Sequence, residues 1–168
     1  QSFVAMSLPD IQRVAQQQKI VDTGVIYNVR ETLLNTLLAA HEDKLQALYK
    51  NNQDHAAFSI TPEAMGQRAL KNGAMLMLMN RLRPEDAKML KEAYDQSNNM
   101  TDRMAAFLGL NAIISEERTE ALEDFYQQFK DYPLVIDKWF SAQTIPRHSD
   151  LIERLEKLRE HPDFNIRN

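Results

Sequence analysis

His41-Glu42-Asp43-Lys44-Leu45 opens like H-E-x-x-H, the helix motif in which two histidines one turn apart hold a zinc ion and the glutamate serves as base. That chemistry needs a second imidazole at the fifth position, where this chain has Leu45. The run therefore reads as a polar helix turn. His55, His148 and His161 fall in predicted loops or at helix ends, without a second ligand at metal spacing, and read as surface polar residues. Asp86, Glu92 and Asp95, and then Glu116, Glu117 and Glu120, read as solvated helix faces with partial i,i+4 pairing to basic residues. No second acid is set against them in a way that suggests acid/base work. Serine and threonine stand at predicted caps, their usual helical use, and there is no glycine-rich phosphate loop.

Two further groups invite a binding role. The chain has 8 methionines, among them Met75, Met77, Met79 and Met89. Methionine adapts to irregular contacts, and at helical spacing these read as core filling rather than a groove. Asp137-Lys138-Trp139-Phe140 sets an ion-pair-capable doublet beside two large rings. It reads as a buried anchor where two helix pairs meet, because a tryptophan buries a large apolar area and needs one partner for its N–H.

The elements that must position these residues are helical. Ser7-Leu8-Pro9-Asp10 predicts a cap, a first-turn proline and an acid, opening a short helix over about 9–18. Asp22 is the next cap. Val25, Val29, Leu33, Leu37 and Ala40 recur at helical spacing, with Ile26, Leu34 and Leu38 widening the stripe. They predict one long helix, or two broken near His41. Residues 51–55 form a polar loop. Thr61-Pro62-Glu63 starts a helix to about Met79, apolar nearly all round in its second half and so expected to be buried. Arg83-Pro84-Glu85-Asp86 starts another, with Ala87, Leu90, Ala93 and Tyr94 on one face. Asn98-Asn99-Met100-Thr101-Asp102 breaks that run and caps the next, which carries Met104, Phe107, Leu108 and Ile114. Ser115 caps a helix with Ala121, Leu122, Phe125, Tyr126 and Phe129 inward. Pro133 opens the helix of Trp139. Ser149-Asp150 caps a last one with Leu151, Ile152, Leu155 and Leu158 on one face.

About eight helices joined by short connectors predict an all-α fold of antiparallel pairs, stacked as an irregular α-solenoid or superhelix. No strict sequence period marks a named repeat. Composition agrees: 4 glycines and 6 prolines are too few for the turns of a β-sandwich or barrel. At 168 residues and 43% hydrophobic, the chain can bury a real core as one domain, residues 1–168. The net charge of −4 leaves no basic excess for nucleic acid. Without cysteine, disulfides, thiolate metal sites and a cysteine nucleophile are ruled out. No apolar run reaches membrane-span length, and residues 1–6 lack the basic and apolar segments of a signal peptide. The first residue is not methionine and no helix closes the chain at Phe164-Asn165-Ile166-Arg167-Asn168, so a piece cut from a larger domain at both ends is expected.

Four segments then carry a family resemblance: Arg68-Ala69-Leu70-Lys71-Asn72, Asn98-Asn99-Met100-Thr101-Asp102, Pro133-Leu134-Val135-Ile136-Asp137-Lys138-Trp139-Phe140 and His161-Pro162-Asp163-Phe164. In this order they resemble the C-terminal helical domain of the bacterial aminopeptidase N family, zinc-dependent alanyl aminopeptidases of the gluzincin group. The second and third are the specific ones. Weaker similarity, from about Leu8 through Val29-Arg30-Glu31 and Leu48-Tyr49, extends the likeness over nearly the whole chain.

The resemblance implies a helical segment without catalytic or metal residues. It implies one zinc ion in the parent's catalytic domain, that domain as partner, peptide substrates reached only through the parent, and a cytoplasmic location. Gly73-Ala74-Met75-Leu76-Met77 begins like the family's amine-gripping G-x-M-E-N segment, but Leu76 and Met77 replace its Glu and Asn. Arg68, Asn72, Asn98, Asn99, Thr101, Asp102, Asp137, Lys138, Trp139 and Phe140 are thus expected to act through packing and capping. The rival expectation is a free-standing α-helical module that binds a protein partner.

Overall fold

The computed structural model describes residues 8–53, 57–81, 83–146 and 149–166. The cap expected at Ser7 and the expectations for His55 and His148 lie outside the described residues. The chain divides into two compact units, Gln1–Arg81 and Leu82–Asn168. Each is helical, and among the described residues there is no strand.

The first unit contains α1 (Ile11–Ala15), α2 (Thr23–Asn51), α3 (Pro62–Leu78) and a 3-10 turn over Met79–Arg81. Asp10 caps α1: its carboxylate accepts from Arg13 N at 2.6 Å. A carboxylate there satisfies an orphan first-turn N–H, so the helix begins at Ile11 and not at Pro9. Asp22 caps α2 in the same way, accepting from Val25 N at 3.0 Å. α2 is one run bent at His41, whose φ of −135° and ψ of 17° leave the helical region. Thr61 caps α3 ahead of Pro62, which has no N–H to leave unpaired.

α2 packs on α3 through Leu34, Leu38 and Leu45 against Ala74 and Leu78, with Leu48, Tyr49 and Met77 at the rim. The stripe expected to face inward divides here. Val25, Val29 and Leu33 are exposed, Val29 by 62%. Val25 precedes Leu34 by nine residues, about two and a half turns, so the two lie on opposite sides of α2. α3 covers only the Leu34–Leu38 side.

The second unit holds α4 (Asp86–Asp95), α5 (Met100–Asn111), α6 (Glu116–Phe129), α7 (Pro133–Thr144) and α8 (Leu151–Arg159). Connectors over 96–99, 112–115 and 130–132 are too short for anything but a tight reversal, so neighbours run antiparallel. Each helix touches the next, and α4 also meets α6 as α5 meets α7, a layered stack. Its centre is aromatic. Phe107 and Phe125 stack at 4.5 Å, Tyr94 lies 6.2 Å from Phe107, and all three rings are buried. Such a pair adds about 0.5–1.5 kcal/mol beyond its area.

Ala87, Leu90, Tyr94, Phe107, Ala121 and Phe125 point inward as the periodicity requires. Ile114 does not: it follows the end of α5 and is exposed. α8 is also turned relative to expectation, with Arg154 and Leu158 buried and Ile152 and Leu155 exposed. The cause is polar, since Arg154 reaches back one turn to Asp150.

Candidate functional site

The zinc-like run does not assemble. His41 is exposed at the bend of α2, Glu42 is ion-paired with Arg81, and Leu45 is a core residue. Among the described residues no group of three or more His, Cys, Asp or Glu side chains is placed to hold a metal. The side chains present at 41–45 do not fit zinc. In the Gly73–Met77 run, Gly73, Ala74 and Met75 are buried, and Leu76 is an apolar side chain at the surface of α3.

The ten motif residues fall in three separate places. Arg68 and Asn72 lie one turn apart on α3, both buried, with the Arg68 guanidinium 4.9 Å from the Phe58 ring centroid. Asn98, Asn99 and Asp102 come together at the start of α5. Asn99 Oδ1 accepts from Asp102 N at 2.9 Å, and Asn99 Nδ2 donates to Asp102 Oδ2 and to Asn98 Oδ1, each at 2.9 Å. Asp102 adds negative charge to the positive end of the helix. Thr101 is exposed beside them.

Trp139 and Phe140 form the third place. Trp139 is buried and donates from Nε1 to Leu122 O at 2.8 Å, fixing α7 to α6. Asp137 is half-buried with its carbonyl accepting from Ser141 Oγ, and Lys138 is exposed. His161, expected as a surface polar residue, is instead half-buried among rings: 4.9 Å from Tyr126, 5.3 Å from Trp139 and 5.4 Å from Phe140. The turn after α8 returns the chain to the α6–α7 junction, where Phe164 also meets Phe140 at 5.8 Å.

Two polar clusters escaped sequence reasoning. In the first, Tyr94 donates to Asp124 Oδ2 at 2.7 Å, as does Gln128 Nε2. Arg103 donates to Gln128 Oε1 at 2.7 Å and to Ser97 Oγ at 3.1 Å, with its guanidinium 5.5 Å from the Tyr94 ring centroid. Burial, and then the bond to the Asp124 carboxylate, push the Tyr94 phenol well above its ordinary range. On the outer side of α4, the hydrogen bond from Lys91 to Asp95 raises the lysine's pKa.

The second cluster lines a cleft of about 370 Å³ between α6, α7 and α8, with Arg118, Arg154, Asp150, Lys157 and His161 among its walls. Arg118 Nη2 and Arg154 Nη2 each donate to Asp150 at 3.0 Å, one to each carboxylate oxygen. Asp150 therefore starts α8 without a side-chain cap bond. Burial first, and then repulsion by Arg118, lower the Arg154 pKa against the pull of Asp150. Residues 118 and 150 lie 32 apart, so no local pattern joins them. Only the i,i+4 spacing of Asp150 and Arg154 was available in the sequence.

Among the motif residues, Asn99 caps α5 and Trp139 and Phe140 make ring contacts, interactions of the kind that hold helices in register. A family described as "Domain of unknown function (DUF3458_C) ARM repeats" matches residues 2–168. Aminopeptidase N of Caulobacter vibrioides is 31% identical over 164 residues, covering 97% of this chain and 19% of the relative. Aminopeptidase N of Escherichia coli is 26% identical over 163 residues, covering 97% and 19%. A crystal structure of Legionella pneumophila aminopeptidase A in complex with aspartic acid matches with a TM-score of 0.77 and 26% identity, over 95% of this chain and 20% of that one. The chain thus spans about a fifth of the length of the relatives it matches.

Proposed function

Since the chain belongs to the DUF3458_C family of ARM-repeat domains, we propose that it serves as a non-catalytic helical segment of a zinc-dependent aminopeptidase. One observation carries this reading: nearly the whole chain matches about a fifth of proteins named aminopeptidase N. On this reading residues 1–168 are part of a larger C-terminal helical domain. They help enclose a chamber in which the parent's catalytic domain, holding one zinc ion, releases N-terminal amino acids from peptides. A zinc-activated water is the nucleophile such chemistry uses, and it belongs to that catalytic domain. The segment's direct partner is then the catalytic domain of the same polypeptide, and its location the cytoplasm. Among the described residues no helix is long and apolar enough to cross a membrane.

The motif residues support the reading through what they touch. Asn99 and Asp102 set the start of α5, and Trp139 ties α7 to α6. We assign them to holding the wall, with no contact to substrate. A free-standing interaction module is the second reading. It is favoured by an apolar groove of about 440 Å³ in the first unit, lined by Leu8, Val14, Ile20, Val25, Val29 and Leu33. Reading the gene on both sides of these 168 codons separates the two. An in-frame upstream H-E-x-x-H with a downstream glutamate supports the peptidase segment. Stop and start signals flanking the segment support the module.

A further inference from the structure

Arg118 is 8% exposed and Arg154 7% exposed, and their guanidinium groups share the Asp150 carboxylate. Each spends only Nη2 on it. Nε and Nη1 of both arginines are buried and have no hydrogen-bond partner among the described residues. Four charged donors without an acceptor are costly, because solvent does not reach them to compensate. The charge is uneven as well: two guanidinium cations face one carboxylate, while the nearby Lys157 is matched by Glu153 at 2.7 Å. One further negative charge would balance the pair. Arginine also presents its N–H groups as flat forks that suit a planar oxyanion held by two bonds.

We propose that the cleft between α6, α7 and α8 is a binding site for a small free carboxylate, held between Arg118 and Arg154 opposite Asp150. The unpartnered nitrogens lie under the cleft surface, so seating the anion turns one arginine outward about its terminal torsions. Lys157, on the next turn of α8, lines the same cleft and adds positive charge at its solvent side. Every residue involved belongs to the second unit, so the site does not depend on the parent being a peptidase.

The test is acetate titration of the 168-residue chain at fixed pH and ionic strength, with chloride as the balancing ion. Arginine Nε–H resonances report the site directly. We expect saturable shifts of the Arg118 and Arg154 signals with acetate, none with chloride, and no change at Arg13 or Arg30. Arg154→Gln should weaken binding roughly tenfold or more, the loss of one hydrogen bond to a charged group. If that variant does not fold, the wild-type resonances still decide. Shifts that stay linear in acetate, or that chloride reproduces, would overturn the site. So would saturation at all arginines alike.

Discussion

The two units solve the same problem with different materials. The first buries an aliphatic seam, Leu34, Leu38 and Leu45 against Ala74 and Leu78, and leaves the far side of its longest helix apolar and open. In the second, Tyr94, Phe107, Phe125 and Trp139 are buried, and hydrogen bonds hold the two among them that carry polar handles. Among the described residues, every buried aromatic lies in that second unit. Rings bury more area per side chain than leucines, and bonds such as Trp139 to Leu122 fix the angle at which helices meet. Both units expose large apolar side chains, Ile20 by 88% and Val29 by 62% in the first, Leu134 by 79% and Ile152 by 68% in the second, but Val25, Val29 and Leu33 of the first line up along one side of a single helix.

That contrast can be broken by mutation. Phe125→Ala should cost about 3–5 kcal/mol, because the stacked ring leaves a large cavity. Leu38→Ala, in the aliphatic seam, should cost about 2–4 kcal/mol. Urea denaturation of the two variants ranks them, and a larger loss at Leu38 would reverse the comparison.

The next effect is smaller and depends on pH. Tyr94→Phe removes a hydrogen bond to a carboxylate and should cost about 1.5 kcal/mol near neutrality. In the fold the Tyr94 proton is held more tightly than in the unfolded chain, where it leaves near the ordinary tyrosine value of 10.0. A raised folded pKa gives stability that is complete below pH 10.0 and is lost as pH rises above it. Lys91, also raised, acts in the same direction. Urea midpoints measured across the alkaline range should therefore fall more steeply for the wild type than for Tyr94→Phe. Equal slopes would show that the Tyr94 phenol contributes nothing to the alkaline transition.

Asn99→Ala should cost about 1 kcal/mol, the usual value of an N-cap, and should lower helicity at the start of α5. Amide exchange at Asp102 and Arg103 would report it. Val29→Ser should change stability by no more than about 0.5 kcal/mol, since the side chain already meets solvent. A loss of several times that amount would show that the exposed stripe packs against something within the chain itself.

The caps were legible in the sequence because their chemistry is local. Asp22, Thr61, Asn99 and Ser115 each accept from a backbone N–H three residues on, and each could be found from residue type and spacing alone. The inward face of α4 was legible for the same reason. α2 was harder to read because it is apolar on two sides and periodicity does not say which side meets α3. α8 misled because Arg154, a residue type seldom buried, turned inward toward Asp150. The arginine pair and the ring setting of His161 depend on contacts between distant positions, Arg118 with Asp150 and Tyr126 with His161. Periodicity carries no information about such pairs.

Incubating the purified 168-residue chain with an equimolar amount of zinc and an alanyl anilide, then measuring bound metal and released aniline, tests the non-catalytic assignment most directly. The chain should hold no stoichiometric zinc and release no aniline, while far-ultraviolet circular dichroism shows it folded and helical. Zinc-dependent release that follows the chain through every purification step would contradict the assignment.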